Sequence, residues 1–140
     1  MKEFQQVCVG GFILNSNNEV LVVKRADNDD FLPGLWELPG GGTNFGENPQ
    51  EALKREIFEE VGLSVSVGKP LSVDDYFMEN DHEKIHRVEI SFLCSQIDTT
   101  QKVQLSFEHS AYRWIAQEQL HGIALTEYMG NIVATCFANL

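Results

Sequence analysis

The chain has 140 residues, enough for one domain whose single core covers about two thirds of the surface that the unfolded form would expose. Ten basic against 21 acidic residues leave a formal net charge of −11, which repels nucleic-acid phosphates and argues against a polymer-binding groove. No apolar run approaches the roughly 18 residues of a membrane span, and Met1-Lys2-Glu3-Phe4 does not begin a signal peptide, so a cytoplasmic protein away from membranes is expected.

In chain order, Gln5 to Asn15 reads as a strand carrying Val7, Val9, Phe12 and Leu14, and Asn15-Ser16-Asn17-Asn18 as a tight turn. Glu19 to Arg25 returns as a second strand whose Val20, Leu21, Val22 and Val23 form a buried run. Leu35 to Leu38 reads as a short strand, followed at Pro39 to Gly42 by a turn whose glycines let backbone approach a ligand. A helix is predicted from Pro49 to Val61. Beyond it, Ser64 to Val67 and Pro70 to Met78 look extended, Glu79 to Lys84 is a polar turn, and His86 to Ile97 alternates as a long strand. Ala111 to Ile115 is a further strand, Ala116 to Leu120 starts a short helix, and Thr126 to Ala138 forms a longer one with Thr126 as N-cap. Cys8, Cys94 and Cys136 are odd in number, lack metal-ligand spacing and sit in apolar stretches, as reduced core thiols do. A mixed sheet covered by helices accounts for this order.

The central helix carries the chemistry. Asn48 is its N-cap, Pro49 suits the first helical position, Glu51 can close a capping box, and Gly62 is the left-handed stop. Leu53, Ile57 and Val61 stack on one face, which leaves Arg55, Glu56, Glu59 and Glu60 on the other. Glutamates three and four residues apart repel by a few tenths of a kcal/mol per pair, roughly, so stability alone does not select this cluster. Clustered carboxylates do suit a hard divalent cation, above all Mg²⁺, beside a diphosphate. Such an ion neutralises phosphate oxygens and makes a water more nucleophilic, which implies hydrolysis of a phosphoanhydride.

Seven positions, Gly41, Glu47, Arg55, Glu56, Glu59, Glu60 and Gly62, have a spacing that ordinary residue usage would match by accident on the order of once in a million such chains. The segment resembles the Nudix box, and Trp36-Glu37-Leu38-Pro39-Gly40-Gly41 resembles that family's usual lead-in. The resemblance implies a Nudix α/β/α sandwich. It also implies that Glu59 and Glu60 are metal ligands, that Glu56 binds metal or positions the attacking water, and that the Gly41 carbonyl is a further ligand. Arg55 and Glu47 then orient the loop and the glutamates. Mg²⁺ is the expected ion, with Mn²⁺ as a substitute, and a homodimer is compatible with the family.

In Phe107-Glu108-His109-Ser110-Ala111-Tyr112-Arg113-Trp114, Glu108 is a second candidate for the base beside Glu56, by the same resemblance. Arg25, with Lys24 beside it, and Arg87 and Arg113 are candidates to meet substrate phosphates, and Glu37 is expected near the site. Phe31, Tyr76 and Phe77 are candidates to stack on a base. The subfamily markers of ADP-ribose and dinucleoside-polyphosphate hydrolases are missing, since Glu79, Asn80 and Asp81 stand where a proline or tyrosine is expected. The resemblance therefore favours a nucleoside triphosphate pyrophosphatase, including those acting on oxidised nucleotides, giving a monophosphate and pyrophosphate. Hydrolysis of ADP-ribose, a nucleotide sugar or a dinucleoside polyphosphate is the alternative. A nucleotide-sensing module without turnover is the reading from a different class, and intact Glu56, Glu59 and Glu60 count against it.

Overall fold

A computed structural model describes all the residues from Met1 to Leu140. It has seven strands, β1 (Lys2–Ile13), β2 (Val20–Arg25), β3 (Trp36–Glu37), β4 (Gly40–Gly42), β5 (Val65–Glu79), β6 (Glu83–Gln96) and β7 (His109–Ile115). Two α-helices, α1 (Pro49–Val61) and α2 (Glu127–Ala138), and a 3-10 helix at Gln117–Gly122 complete it. The strands form a mixed four-stranded sheet in the order β4-β1-β6-β5 and a three-stranded antiparallel sheet in the order β3-β2-β7. The expected mixed sheet flanked by helices is present, and the separate three-stranded sheet is an addition to it.

β1 runs parallel to β6 from Lys2 opposite Glu83 to Ile13 opposite Cys94, and its last six residues are buried. Side chains alternate across the sheet. Gln6, Cys8, Gly10 and Phe12 therefore share the face that α2 covers, while Val9, Gly11 and Ile13 face α1. Gly11 is required there, because a Cβ would stand 2.7 Å from Ile57 Cδ1. Val9, Ile13, Leu21, Val23, Phe92 and the α1 stripe of Leu53, Ile57 and Val61 form one core cluster. Phe12, Val20, Val22, Ile115 and the α2 residues Ile132, Val133 and Cys136 form the other. Each large apolar side chain withdrawn from water in these clusters contributes about 1.5–3 kcal/mol.

The helices stop and start where their caps dictate. The Asn48 side chain accepts hydrogen bonds from the Gln50 and Glu51 amides at 2.9 and 3.2 Å, and Gly62 ends α1 at φ 72°. Thr126 accepts from the Met129 amide at 3.0 Å and opens α2. Glu51 does not close a capping box: its carboxylate pairs with Lys54 at 3.3 Å, one turn along. The two extended pieces expected after α1 are one strand, β5, in which register shifts around Pro70 absorb Gly68 and Lys69. An edge position makes Pro70 tolerable, because its missing N–H leaves no ladder bond unmade on the open side. The polar turn shrinks to Asn80–His82, with Asn80 Oδ1 accepting from the His82 and Glu83 amides. All three cysteines are free and buried, and burial pushes the Cys94 and Cys136 thiols up to about 12.

Candidate active site

β4, the loop after it and α1 hold four glutamates around one arginine. Arg55 grips both Glu47 oxygens at 2.9 Å, Glu56 Oε1 at 3.0 Å and Glu59 Oε2 at 3.3 Å, and donates to the Gly42 carbonyl at 3.4 Å. The fork geometry of a guanidinium allows several carboxylates to be met at once. Hydrogen bonds from Arg55 and from the Asn44 amide hold the Glu47 carboxyl at about 2. Burial, set against the Arg55 contact, raises that of Glu56. Gly41 lies directly over Glu56: a Cβ there would stand 2.6 and 3.0 Å from its two carboxylate oxygens.

Glu60 is the glutamate that Arg55 does not reach. It is 3 % exposed, and burial, followed by the charges of Glu37, Glu108 and Glu56, pushes its carboxyl up to about 9. Its Oε2 has no hydrogen-bond partner and stands 3.7 Å from His109 Nδ1, which is likewise unpartnered. His109 Nε2 meets Glu37 Oε2 at 2.8 Å, and Glu37 in turn receives Arg25 through both oxygens at 3.1 Å. A chain of contacts therefore runs from the end of β2 to the middle of the acid cluster. Glu108 is exposed, with its carbonyl accepting from the Ala26 amide at 3.0 Å, and its charge bears on both Glu56 and Glu60.

As the side chains stand, no three His, Cys, Asp or Glu groups converge on one point. The donor set nevertheless fits a hard divalent ion. It consists of oxygens, and a buried carboxylate oxygen without a partner is a position that a cation would satisfy.

A cavity of about 560 Å³ lies on the other face of the β4–β1 ladder, toward α2. Its lining includes Gln6, Cys8, Tyr76, Arg87, Glu89 and Tyr128. Glu37 and Gly40–Gly42 belong to its wall as well, so the cavity and the acid cluster meet along this strip.

Of the residues singled out from sequence, Glu56, Glu59, Glu60, Gly41, Arg55, Glu37 and Glu108 come together. Arg87 lies in the cavity wall, donating to Gln6 Oε1 at 3.0 Å and to the Tyr76 hydroxyl at 3.3 Å. Arg25 also borders the cavity but is committed to Glu37, Asp29 and the Phe31 carbonyl, so it is a brace for the 26–35 loop before it is a free cation. Arg113 stands elsewhere. It is exposed on β7 opposite Val22, on the face turned away from α1, and it neither lines the cavity nor pairs with an acid. Lys24 does not line the cavity either. Among the aromatics, Phe31 and Tyr76 line the cavity, whereas Phe77 stacks on His86 at 4.4 Å outside it. Trp36 packs against the α2 cluster and also borders the cavity. Gln6, Glu89 and Tyr128 were missed. For Gln6 on β1 and Glu89 on β6 the signal was alternation, since polar residues recurring at every second position of a strand mark a face that is not plain core. Tyr128 lies on α2, and alternation says nothing of it.

A family model described as the NUDIX domain matches residues 4–136. The nucleoside triphosphatase NudI of Enterobacter sp. (strain 638) is 31 % identical over 122 residues, covering 82 % of this chain and 85 % of that protein. NudI of Escherichia coli O17:K52:H18 is 30 % identical over 115 residues, covering 77 % and 80 %. Among solved structures, the MutT protein from Methanosarcina mazei Go1 superposes with a TM-score of 0.79 at 26 % identity, covering 99 % of this chain and 96 % of that one. The MutT NUDIX hydrolase from Burkholderia pseudomallei has the same fold, with a TM-score of 0.74 at 24 % identity and 98 % of each chain covered. With the glutamates, the loop glycine and the bracing arginine in place on a matching fold, the chain belongs to the NUDIX domain family and is a hydrolase of phosphoanhydride bonds.

Proposed function

We propose that this hydrolase is a Mg²⁺-dependent nucleoside triphosphate pyrophosphatase that releases a nucleoside monophosphate and pyrophosphate. The observation that carries the reading is Glu60, a buried carboxyl with an unpartnered oxygen in an acid cluster whose neighbouring strip, Glu37 and Gly40–Gly42, also walls a cavity large enough for a nucleoside. Similarity to nucleoside triphosphatases over four fifths of the chain supports the triphosphate. A divalent ion at such a site supplies charge neutralisation of the phosphate oxygens and a more acidic water.

In this reading Glu59, Glu60 and the Gly41 carbonyl hold the ion, and Arg55 keeps the loop and the glutamates in register. Glu56 and Glu108 both stand close enough for their charges to bear on the cluster, and each is a candidate to take the proton of the attacking water. His109, held by Glu37, stands behind Glu60 at 3.7 Å. Arg87 is the cation in the cavity wall, and Mn²⁺ can replace Mg²⁺ because both accept oxygen ligands.

The test is a turnover screen with Mg²⁺ across ordinary and oxidised nucleoside triphosphates, ADP-ribose, nucleotide sugars and dinucleoside polyphosphates, with products separated by chromatography. Monophosphate plus pyrophosphate from a triphosphate, lost in Glu59→Gln and in Glu60→Gln, is the expected result. Turnover confined to the diphosphate-linked compounds overturns the substrate, and turnover surviving both substitutions overturns the metal site.

A further inference from the structure

The cavity wall carries a carboxyl group, Glu89, that lies outside the acid cluster. Glu89 stands on the α2 face of β6, opposite Cys8 of β1 and Asp74 of β5. Gly10 keeps the space beside it open, since a Cβ there would come within 3.3 Å of Ser91 Oγ and 3.7 Å of Glu89 Oε1. Glu89 Oε2 meets the Tyr128 hydroxyl at 3.5 Å, and Oε1 has no hydrogen-bond partner. Ser91 Oγ is also buried without one. The walls around this group include Trp36, Tyr76 and Met129. Apolar and aromatic surface with a few placed hydrogen-bonding groups is the lining that a flat heterocycle requires.

We propose that Glu89 reads the hydrogen-bonding edge of the nucleobase, and that the protonation state of its carboxyl selects which edge fits. This rests on the triphosphatase reading above, with the phosphates at the acid cluster and the base in the cavity. A neutral carboxyl offers an O–H donor beside a carbonyl acceptor. That pair complements a ring-nitrogen acceptor beside an exocyclic amine, the edge of cytosine and of adenine. An ionised carboxylate offers two acceptors, which complement the ring N–H and exocyclic amine of guanine.

Both forms are accessible near neutral pH. Burial, then the charges of Glu37 on β3 and Asp74 on β5, push the Glu89 carboxyl up to about 7, against the pull of Tyr128 on α2 and Arg87 on its own strand. Cys8 on β1 and Tyr76 on β5 also face it, and burial raises both of their own pKa values, which keeps them neutral in this range.

The experiment measures kcat/KM for CTP, ATP and GTP with Mg²⁺ from about pH 6 to about pH 8, in the wild type and in Glu89→Gln. Ratios between substrates cancel titration of the triphosphate and of the catalytic groups, which all three share. In the wild type, the preference for CTP and ATP over GTP is expected to fall at least about tenfold across this range, as the neutral fraction of the carboxyl falls. Glutamine retains one acceptor and one donor at every pH. Glu89→Gln is therefore expected to keep the low-pH preference with a flat profile. A flat wild-type ratio overturns the edge reading and leaves the triphosphatase standing, as does a Glu89→Gln ratio that still falls with pH. No turnover of any triphosphate by the wild type overturns both. The wild-type profile needs no variant, so the test does not depend on how Glu89→Gln folds.

Discussion

Replacing Glu89 by glutamine also probes the cavity without any ligand, through folding stability. The carboxyl titrates near its ordinary value of 4.5 in the unfolded chain and at about 7 in the fold. A raised folded value means that the native state holds this proton more tightly. Below about pH 4.5 both states are protonated and the group carries no penalty; between about 4.5 and 7 the unfolded chain ionises first, so stability falls as pH rises; above about 7 the full penalty is present. At 1.36 kcal/mol per pKa unit the penalty is about 3 kcal/mol, a ceiling that solvent at the cavity mouth lowers. Glutamine fills the same space and does not ionise. Urea unfolding of wild type and Glu89→Gln, both free of divalent ions, is expected to show the variant gaining relative stability from about pH 5 to about pH 8, by up to about 3 kcal/mol. Titrating groups remote from Glu89 are common to both proteins and drop out of the difference, which reads Glu89 together with the neighbours whose charges it meets. A difference that stays constant with pH, or that favours the wild type increasingly as pH rises, refutes the argument that Glu89 is ionised against its surroundings.

Two further substitutions test the scaffold. Gly40→Ala places a Cβ within 3.0 Å of three backbone atoms of Val9 and Gly10, which cannot move aside without parting β4 from β1, so a loss of about 1–3 kcal/mol in thermal or urea unfolding is expected. An unchanged unfolding midpoint would mean that β4 is not held against β1 as described. Asn48→Ala removes the side-chain acceptor for two amides at the start of α1 and is expected to cost about 1 kcal/mol by urea unfolding, whereas Asn48→Asp retains the cap. Equal stabilities of the two variants would deny Asn48 that role.

Local rules gave α1 to the residue, because both of its ends depend on side chains a few positions away: the Asn48 acceptor and the left-handed Gly62. The two short strands of the 35–42 segment were not separable by such rules. Trp36–Glu37 pairs with β2 and Gly40–Gly42 with β1, so one turn at Leu38–Pro39 passes from one sheet to the other, a choice fixed by partners far away in sequence. At the site, the glutamate spacing was legible because helix geometry alone places those residues on one face. The neighbourhood of Glu60 was not, since it combines Glu37 from β3 and His109 from β7, two residues 72 positions apart. Arg25 illustrates the same limit. Its position at a strand end suggested reach toward a phosphate, yet acids on the following loop and on β3 occupy its guanidinium. Arg113 was misleading because strand alternation gives two faces and does not say which one borders the cavity.

The grip of Arg55 on Glu47, Glu56 and Glu59 bears on the order of assembly. Sites whose carboxylates repel one another in the absence of an ion are built by the ion, and their folding energy is its binding energy. Here a covalently attached cation already contacts three of the four glutamates, offsets one of their charges and fastens the loop to the helix. The loop that carries Glu47 is therefore fastened to α1 by the chain's own side chains, without a divalent cation. A divalent ion would still have to draw the carboxylates toward one point, and Glu60 is the glutamate that Arg55 leaves unclaimed.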